Sequence, residues 1–548
     1  MSSQASTAGK AAAGGASVVL LTLAMAQFLM TLDTSVMNVA IATVAKDCNT
    51  TVSGVQTAIT LYALVMAALM ITGGKIGAII GRKRAFAIGS VIYGAGSFTT
   101  SLAHSLTVLI IGWSFLEGIG AALILPAVVA LVAANFPAEA RPKAYGLVSA
   151  AGAIAVAVGP LIGGLFTTYL TWRLVFAGEV LIVIAILIMS RRVVEEPPGK
   201  QPRLDIVGVV LSASGLSLAV LGVLKSGTWG WAQPKAGAPE LWGISLTLWF
   251  IFGGVFLLWL FLEWEARVDS RGGEPLVRRS MFRVRQLRGG LRMFFFQYFI
   301  QSGIFFVVPL FLSVSLGLSA IETGVRLLPL SITLLIAAIG IPRFFPDVSP
   351  RRVVRLGVLA MFAGDVVLLA SIDSNATASI VLVPLLLLGF GIGALASQLG
   401  SVTVSSVPDE LSPEVGGLQN TATNIGASLG TALAGSVLIA TLTSVFLVGV
   451  SNNPDVPSRV SEQASVQLAS GLPFLSDADL RAALEDAHVS DKTTDAIVAE
   501  NSKARLEALQ AALAVVALVA LLGLFCAGPI PNTQPKSAPA TLELEPET

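Results

Sequence analysis

The chain has 548 residues, 54% hydrophobic and only 12% charged, with a mean hydropathy of +0.81. A soluble domain is about a quarter charged, and its core cannot absorb a dozen apolar runs of roughly 18 residues or more, each able to cross a hydrocarbon layer about 30 Å thick. The net charge of +1 leaves no basic or acidic bulk for nucleic acid, so the composition describes an all-α integral membrane protein.

Apolar runs between charge-bearing loops predict fourteen transmembrane helices, at about 17–43, 55–73, 84–103, 106–133, 144–168, 173–190, 205–225, 240–263, 291–314, 321–342, 354–372, 378–400, 416–447 and 507–528. The first run is too long for a signal-peptide core and lacks a cleavage pattern, so it is read as a retained helix behind a cytoplasmic tail, 1–16. With the N-terminus inside, about 24 of the 34 basic residues fall on the cytoplasmic side, including Lys75, Arg141, Lys143, Arg191, Arg192 and the Arg267–Arg292 cluster. Both termini are then cytoplasmic. Residues 451–506 form a polar outward loop in which Ser476 and Ser490 can cap short helices, and 529–548 reads as a disordered cytoplasmic tail. Cys48 and Cys526 fall on opposite sides of the membrane, which excludes a disulfide between them. His104 and His488 fall in loops, which leaves no histidine metal centre or proton relay in the membrane.

A weak internal repeat divides the chain. The turn Gly74–Arg84 follows helix 2 and the turn Gly340–Arg352 follows helix 10, both basic and both joining the second and third helices of a six-helix block. Duplicated halves around a central site are a common transporter plan. The division is 17–190 for an N-terminal bundle, 191–290 for a linker with an inserted helix pair and a basic loop, and 291–528 for a C-terminal bundle.

Several polar residues interrupt the apolar runs. In helix 1, Met30, Asp33 and Met37 share a face, with Asn38 beside them. A carboxyl at that depth costs several kcal/mol unless it meets a cavity, a partner or a proton, so Asp33 is a candidate for proton or substrate coupling. Its structural alternative is a bond to Asn38 and the helix 4 backbone. In helix 4, Glu117 lies one turn after Trp113, a pair that suits a lipophilic cation and equally a proton carrier. Glu179 in helix 6 and Asp365 in helix 11 are further intramembrane acids. Gln297 and Gln301 with Phe294 and Phe305 line one face of helix 9, a permissive pocket lining, and methionines adapt to varied apolar ligands. Asn424, paired with Asn420, extends that candidate pocket from helix 13, where Gly426 and Gly430 suit close helix packing. Arg173 and Arg326 read as interface anchors.

Conformational roles fall to other residues. Pro160 after Gly159 removes a hydrogen bond and bends helix 5, and Gly163 and Gly164 permit tight contact with helix 8 or 10. The turn Gly74, Gly81, Arg82, Lys83 and Arg84 can hold the cytoplasmic gate by capping helix ends.

Four stretches together resemble the major facilitator superfamily in its fourteen-helix drug:proton antiporter branch: Leu32–Ala40, the Gly74–Arg84 turn, Leu116–Ala122 and Gly159–Gly164. The family's acidic position in the turn is Ala78 here, and its helix 4 arginine falls at Ser114. The resemblance implies a secondary transporter in 6+2+6 pseudo-symmetric bundles rather than an enzyme. It would sit as a multi-pass monomer in the plasma or inner membrane, in contact with lipid, and export lipophilic drugs or antibiotics against a proton gradient by alternating access. No nucleotide-binding loop and no metal-ligand spacing occurs, so neither ATP nor a cofactor is expected to drive it. The alternatives are a narrow-specificity exporter of a metabolite, lipid or natural product, and a non-transporting membrane sensor that uses the outward segment.

Overall fold

The computed structural model describes residues 2–136, 141–194, 203–235, 237–373, 376–408, 411–460 and 472–534. The expected disordered tail lies outside them from 535 onward. The first six membrane helices are α1 (Ser2–Asp47), α2 (Val52–Ile80), α3 (Arg82–Ser101), α4 (Leu106–Val132), α5 (Arg141–Tyr169) and α6 (Arg173–Ser190). An inserted pair follows, α7 (Ile206–Trp229) and α8 (Leu246–Ser270). The remaining elements are α9 (Arg285–Ser315), α10 (Ala320–Phe344), α11 (Pro350–Ser371), α12 (Leu382–Val404), α13 (Ser412–Asn452), the short α14 (Asp477–Asp486) and α15 (Asp491–Cys526).

Among the described residues, thirteen helices are long and apolar enough to cross a membrane, and α3 supplies the fourteenth. Its hydropathy is low because Arg82, Lys83 and Arg84 open it and Gly, Ser and Thr recur along it. Even so, it packs against α4 and α6 with Phe86, Tyr93 and Thr100 buried.

Three boundaries differ from the sequence reading. Helix already begins at Ser2, so the residues expected as a tail continue α1. The span expected from about 240 starts instead at Leu246. Before it comes a hairpin of β1 (Glu240–Leu241) and β2 (Ile244–Ser245), turned by Trp242 and Gly243, both with positive φ, as a two-residue primed turn requires. The helix expected from Asp491 does not end within the outward segment: α15 runs unbroken from Asp491 into the last span, with no Gly or Pro before Gly523 to stop it. Ser476 caps α14 through the Asp479 amide as expected. Arg505 of α15, fully buried, binds the Leu475 carbonyl and the Asp477 carboxylate and so pins α14 to it.

The contacts repeat between halves. Helix α1 packs on α5 as α9 packs on α13; α2 packs on α4 as α10 packs on α12; α3 packs on α6 as α11 packs on α15. The halves meet through two matching seams, α2 with α13 and α5 with α10. Buried polar bonds cross the first: Gln56 Nε2 donates to the Thr431 carbonyl at 3.1 Å, and Ser428 Oγ to the Thr60 carbonyl at 3.1 Å. Glycines make the second, since a Cβ on Gly164 would sit 2.6 Å from the Ala320 carbonyl oxygen and one on Gly324 would collide with the Pro160 carbonyl. The inserted pair leans on α2 and α13 through α7. Large apolar side chains such as Val91, Leu181, Ile336 and Phe525 are exposed around the outside, where lipid would cover them. Cys48 and Cys526 are both free, and burial raises the Cys48 thiol above its ordinary pKa.

Gly164→Val should therefore wedge the α5–α10 seam and cost about 1–3 kcal/mol of overpacking strain. A lowered melting temperature in detergent checks this, with Gly178→Ala, where a Cβ meets nothing within 4 Å, melting like the wild type.

Candidate functional site

Helix α1 presents two polar faces to two different places. Asp33 points into the N-terminal half, fully buried, and its Oδ1 accepts a bond from Trp113 Nε1 at 2.7 Å. Trp113 is stacked on Tyr62 of α2, with ring centroids 4.9 Å apart and planes 7° from parallel. Glu117 and Glu179, also buried, complete a triad: carboxylate oxygens of Asp33, Glu117 and Glu179 lie within 4.8 Å of one another.

Each acid has one neutral donor. Thr100 Oγ1 donates to Glu117 Oε1 at 3.0 Å and Ser97 Oγ to Glu179 Oε2 at 3.1 Å, both hydroxyls coming from α3. The second oxygens, Asp33 Oδ2, Glu117 Oε2 and Glu179 Oε1, have no hydrogen-bond partner, and neither have the hydroxyls of Tyr62 and Tyr93. Among the described residues the buried cation is Arg505, which is bonded to Leu475 and Asp477 in the other half.

Local backbone geometry builds this chamber. Residues Ile110–Glu117 of α4 form a π-helical stretch, a device that recurs at functional sites because it re-aims side chains within a helix. It places Trp113, Ser114 and Glu117 together on the inner side. Helix α3 comes close enough to supply both hydroxyls because Gly96 faces α4: a Cβ there would lie 2.6 Å from Glu117 Cγ. Ser114, at the position where the resembling family carries arginine, is buried and donates to the Ala58 carbonyl at 2.8 Å. The helix 4 position thus ties α4 to α2 and brings no positive charge to the acids.

The other face of α1 meets the second half. Ser35, Asn38 and Val39 line a cleft with Pro160 of α5, Phe305 and Pro309 of α9, and Leu327, Leu330 and Ser331 of α10. The space between the halves there is ≈ 10 Å³, about one water molecule. A drug-sized ligand needs about 300–1,000 Å³ and would require them to part. The lining has three small polar side chains and no charge.

The candidate residues sort accordingly. Asp33, Glu117 and Glu179 converge, whereas Asp365 of α11 lies in the other half, buried with both oxygens unpartnered. Asn38 and Phe305 line the cleft. Trp113, Met30 and Met37 do not: they are buried in the core, where the bond to Asp33 and the stack on Tyr62 occupy Trp113. Phe294 is half-buried against the core, and Gln297 and Gln301 are buried with their Oε1 atoms unpartnered. Asn424 and Asn420 donate to carbonyls of their own helix. Asp33 bonds neither Asn38 nor the helix 4 backbone; its partner is a side chain.

Among the conformational candidates, Gly81 adopts φ 100° between α2 and α3, and Lys83 Nζ binds the Arg191 and Val193 carbonyls, capping the end of α6. Arg82 is half-buried and Arg84 exposed, and Gly74 packs on Pro126. Gly159 and Gly163 pack on Ser35 and Val36 of α1, while Gly164 packs on α10, the tenth helix; the eighth is not its neighbour. Arg173 does more than anchor: it bonds Asp47 at 2.8 Å and the Ala103 carbonyl at 2.7 Å and lies over Trp172, joining α1, α3 and α6 at one end. Arg326 is exposed.

Sequence reasoning missed Tyr62, Tyr93, Ser97 and Thr100. A tyrosine in each of two adjacent spans, in a chain with only 5 tyrosines, was the available signal.

Comparison with known proteins adds three findings. The model of the family described as Major Facilitator Superfamily matches residues 23–431. The tetracenomycin C resistance and export protein of Streptomyces glaucescens is 29% identical over 436 residues, 78% of this chain and 77% of its own, and the multidrug efflux pump LfrA of Mycolicibacterium smegmatis is 25% identical over 508 residues, 92% and 95% of the two chains. Among solved structures, a bacterial homologue of the human lysosomal transporter Spinster superposes with a TM-score of 0.57 at 14% identity, covering 94% of this chain and 98% of its own.

Trp113→Phe keeps the stack on Tyr62 but takes away Asp33's donor, and should cost about 1–3 kcal/mol. Glu179→Gln removes a like charge from the triad and should melt at or above the wild type at pH 8. Thermal denaturation followed by scanning fluorimetry distinguishes the two signs.

Proposed function

The chain belongs to the Major Facilitator Superfamily, and on that premise we propose that it exports uncharged lipophilic small molecules of the antibiotic class in exchange for protons. The single observation that carries this reading is the pair of faces on α1. Asp33 serves the acid triad, and Ser35 and Asn38, within five residues of it, serve the cleft between the halves. A change of charge in the triad therefore acts on the helix that lines the substrate path, with no need for substrate and proton to share an atom.

The relatives named for tetracenomycin C export and multidrug efflux support the class of cargo. The uncharged lining, with Phe305, Leu327 and Leu330 as its apolar bulk and Ser35, Asn38 and Ser331 as its polar residues, favours neutral members of that class. The acid–aromatic pair that would have suited a lipophilic cation is turned into the core.

In the cycle we propose, the basic loops and both termini face the cytoplasm and the protein sits in the plasma membrane. The halves rock about the α2–α13 and α5–α10 seams. Protons entering from outside neutralise the triad and favour the form that reloads at the cytoplasmic face. Their loss to the cytoplasm restores charge and drives α1, with the cargo, toward release outside. Protons are the only energy source required.

In proteoliposomes acidified inside, the wild type should concentrate a neutral lipophilic dye, and Asp33→Asn should retain its fold but lose uphill accumulation. One proton across two pH units supports about 100-fold accumulation and two protons about 10,000-fold, so the limiting ratio counts the protons. Accumulation that persists with a protonophore present refutes the coupling. Asn38→Ala and Phe305→Ala should shift the KM for the dye severalfold while leaving the dependence on the pH gradient intact.

A further inference from the structure

The triad has the donor set and the dimensions of a metal-cation site. Three atoms no more than 4.8 Å apart lie within about 2.8 Å of a common centre; calcium binds oxygen at about 2.3–2.6 Å, so a contraction of a few tenths of an ångström would bring all three carboxylates onto one ion. Each acid spends one oxygen on Trp113, Thr100 or Ser97 and leaves the other without a partner.

A second observation is independent of the acids. The hydroxyls of Tyr62 and Tyr93, 2% and 0% exposed, make no bond of full hydrogen-bond geometry, and both are aimed at the Asp33 carboxyl from α2 and α3. Buried hydroxyls are ordinarily bonded. Two hydroxyls aimed at three carboxylates bring oxygen donors from five helices to one place. Every donor is oxygen, with no sulfur or imidazole, which suits hard cations and not zinc, copper or iron. Magnesium keeps several of its waters and demands near-octahedral geometry, a poor match to a fully buried chamber of bulky side chains.

We propose that the chamber formed by Asp33, Tyr62, Tyr93, Glu117 and Glu179 binds one hard cation of sodium or calcium size, in competition with protons. This rests on the coupling role given above to the same three acids, and it adds that a metal ion can take the place of the protons there. The groups facing the site from α1, α2, α3, α4 and α6 are those five side chains with Trp113, Ser97 and Thr100.

Trp113 is a built-in reporter, since its indole N–H rests on Asp33. Purified full-length protein at pH 8, with choline as the only other cation, is titrated with sodium, calcium and magnesium chlorides while tryptophan emission and melting temperature are followed. Trp113→Phe identifies the reporter's share of the signal. Equilibrium dialysis with radioactive sodium or calcium counts the ions on the wild-type chain, so the result does not depend on any variant folding. The expected result is one ion per chain and a saturable change with sodium or calcium but not with choline. The apparent affinity should fall at least tenfold at pH 6 or in Glu117→Gln and Glu179→Gln. No ion bound at 100 mM, or an unaltered affinity in both folded glutamine variants, overturns the proposal. Export driven by a pH gradient in choline-only vesicles separates the two readings. If it persists without metal binding, only the cation site fails; if metal binds and the gradient drives nothing, the proton reading fails.

Discussion

Three buried carboxyl groups whose oxygens lie within 4.8 Å of one another repel strongly when all are ionised. At 4.8 Å two unit charges repel by roughly 3.5 kcal/mol even at an effective dielectric constant of about 20, and the triad has three such pairs. The arrangement offers only neutral donors in compensation, one indole and two hydroxyls. The chamber must therefore take up positive charge from elsewhere and must change its electrostatic energy sharply when it gives that charge back. Groups of this kind are retained in membranes for work, because well-packed apolar side chains would be cheaper.

Helix α1 joins that chamber to the contact between the halves. On one side this helix completes the chamber; on the other, Ser35, Asn38 and Val39 face α9 and α10 of the second half. Behind it α5 packs closely at Gly159 and Gly163, and the same α5 meets α10 through Gly164. A displacement of α1 would therefore reach a seam between the halves through closely packed helices, with little soft side chain between them to absorb it. The matching seam, α2 with α13, is crossed by Gln56 and Ser428 bonds to main-chain carbonyls. Gln56 Nε2 also lies 3.4 Å from the Ala432 carbonyl, so that contact is shared between two neighbouring carbonyls of α13.

The chamber also explains why α3 is the least apolar of the spans. Its serine and threonine supply the donors for Glu179 and Glu117, its glycine lets α4 approach, and its tyrosine faces Asp33. Only a strip including Ile88, Val91 and Phe98 faces outward. A helix wedged between neighbours on most sides can give up hydrophobicity that a lipid-facing helix must keep.

Apolar runs between charge-bearing loops determined the number of spans and the intramembrane position of each acid, because crossing a lipid layer imposes a length and a largely apolar composition on a helix, and the repeated basic turns carried the six-two-six plan. The same rule flagged Asp33, Glu117 and Glu179 one by one, and motif resemblance pointed to Gly159–Gly164 and the basic turn. What it could not settle was which face of each helix points where. Helical spacing placed Met30, Asp33 and Met37 together and Trp113 near Glu117, but it says nothing of whether such a face looks into its own bundle or across to the other. Only tertiary packing turned Trp113 inward onto Asp33, separated Asp365 from the other acids and left Asn38 and Phe305 at the cleft. A carboxyl's isolated cost is local and can be read along the chain. Its partners come from helices up to about 150 residues away, and that proximity exists only once the bundle has closed.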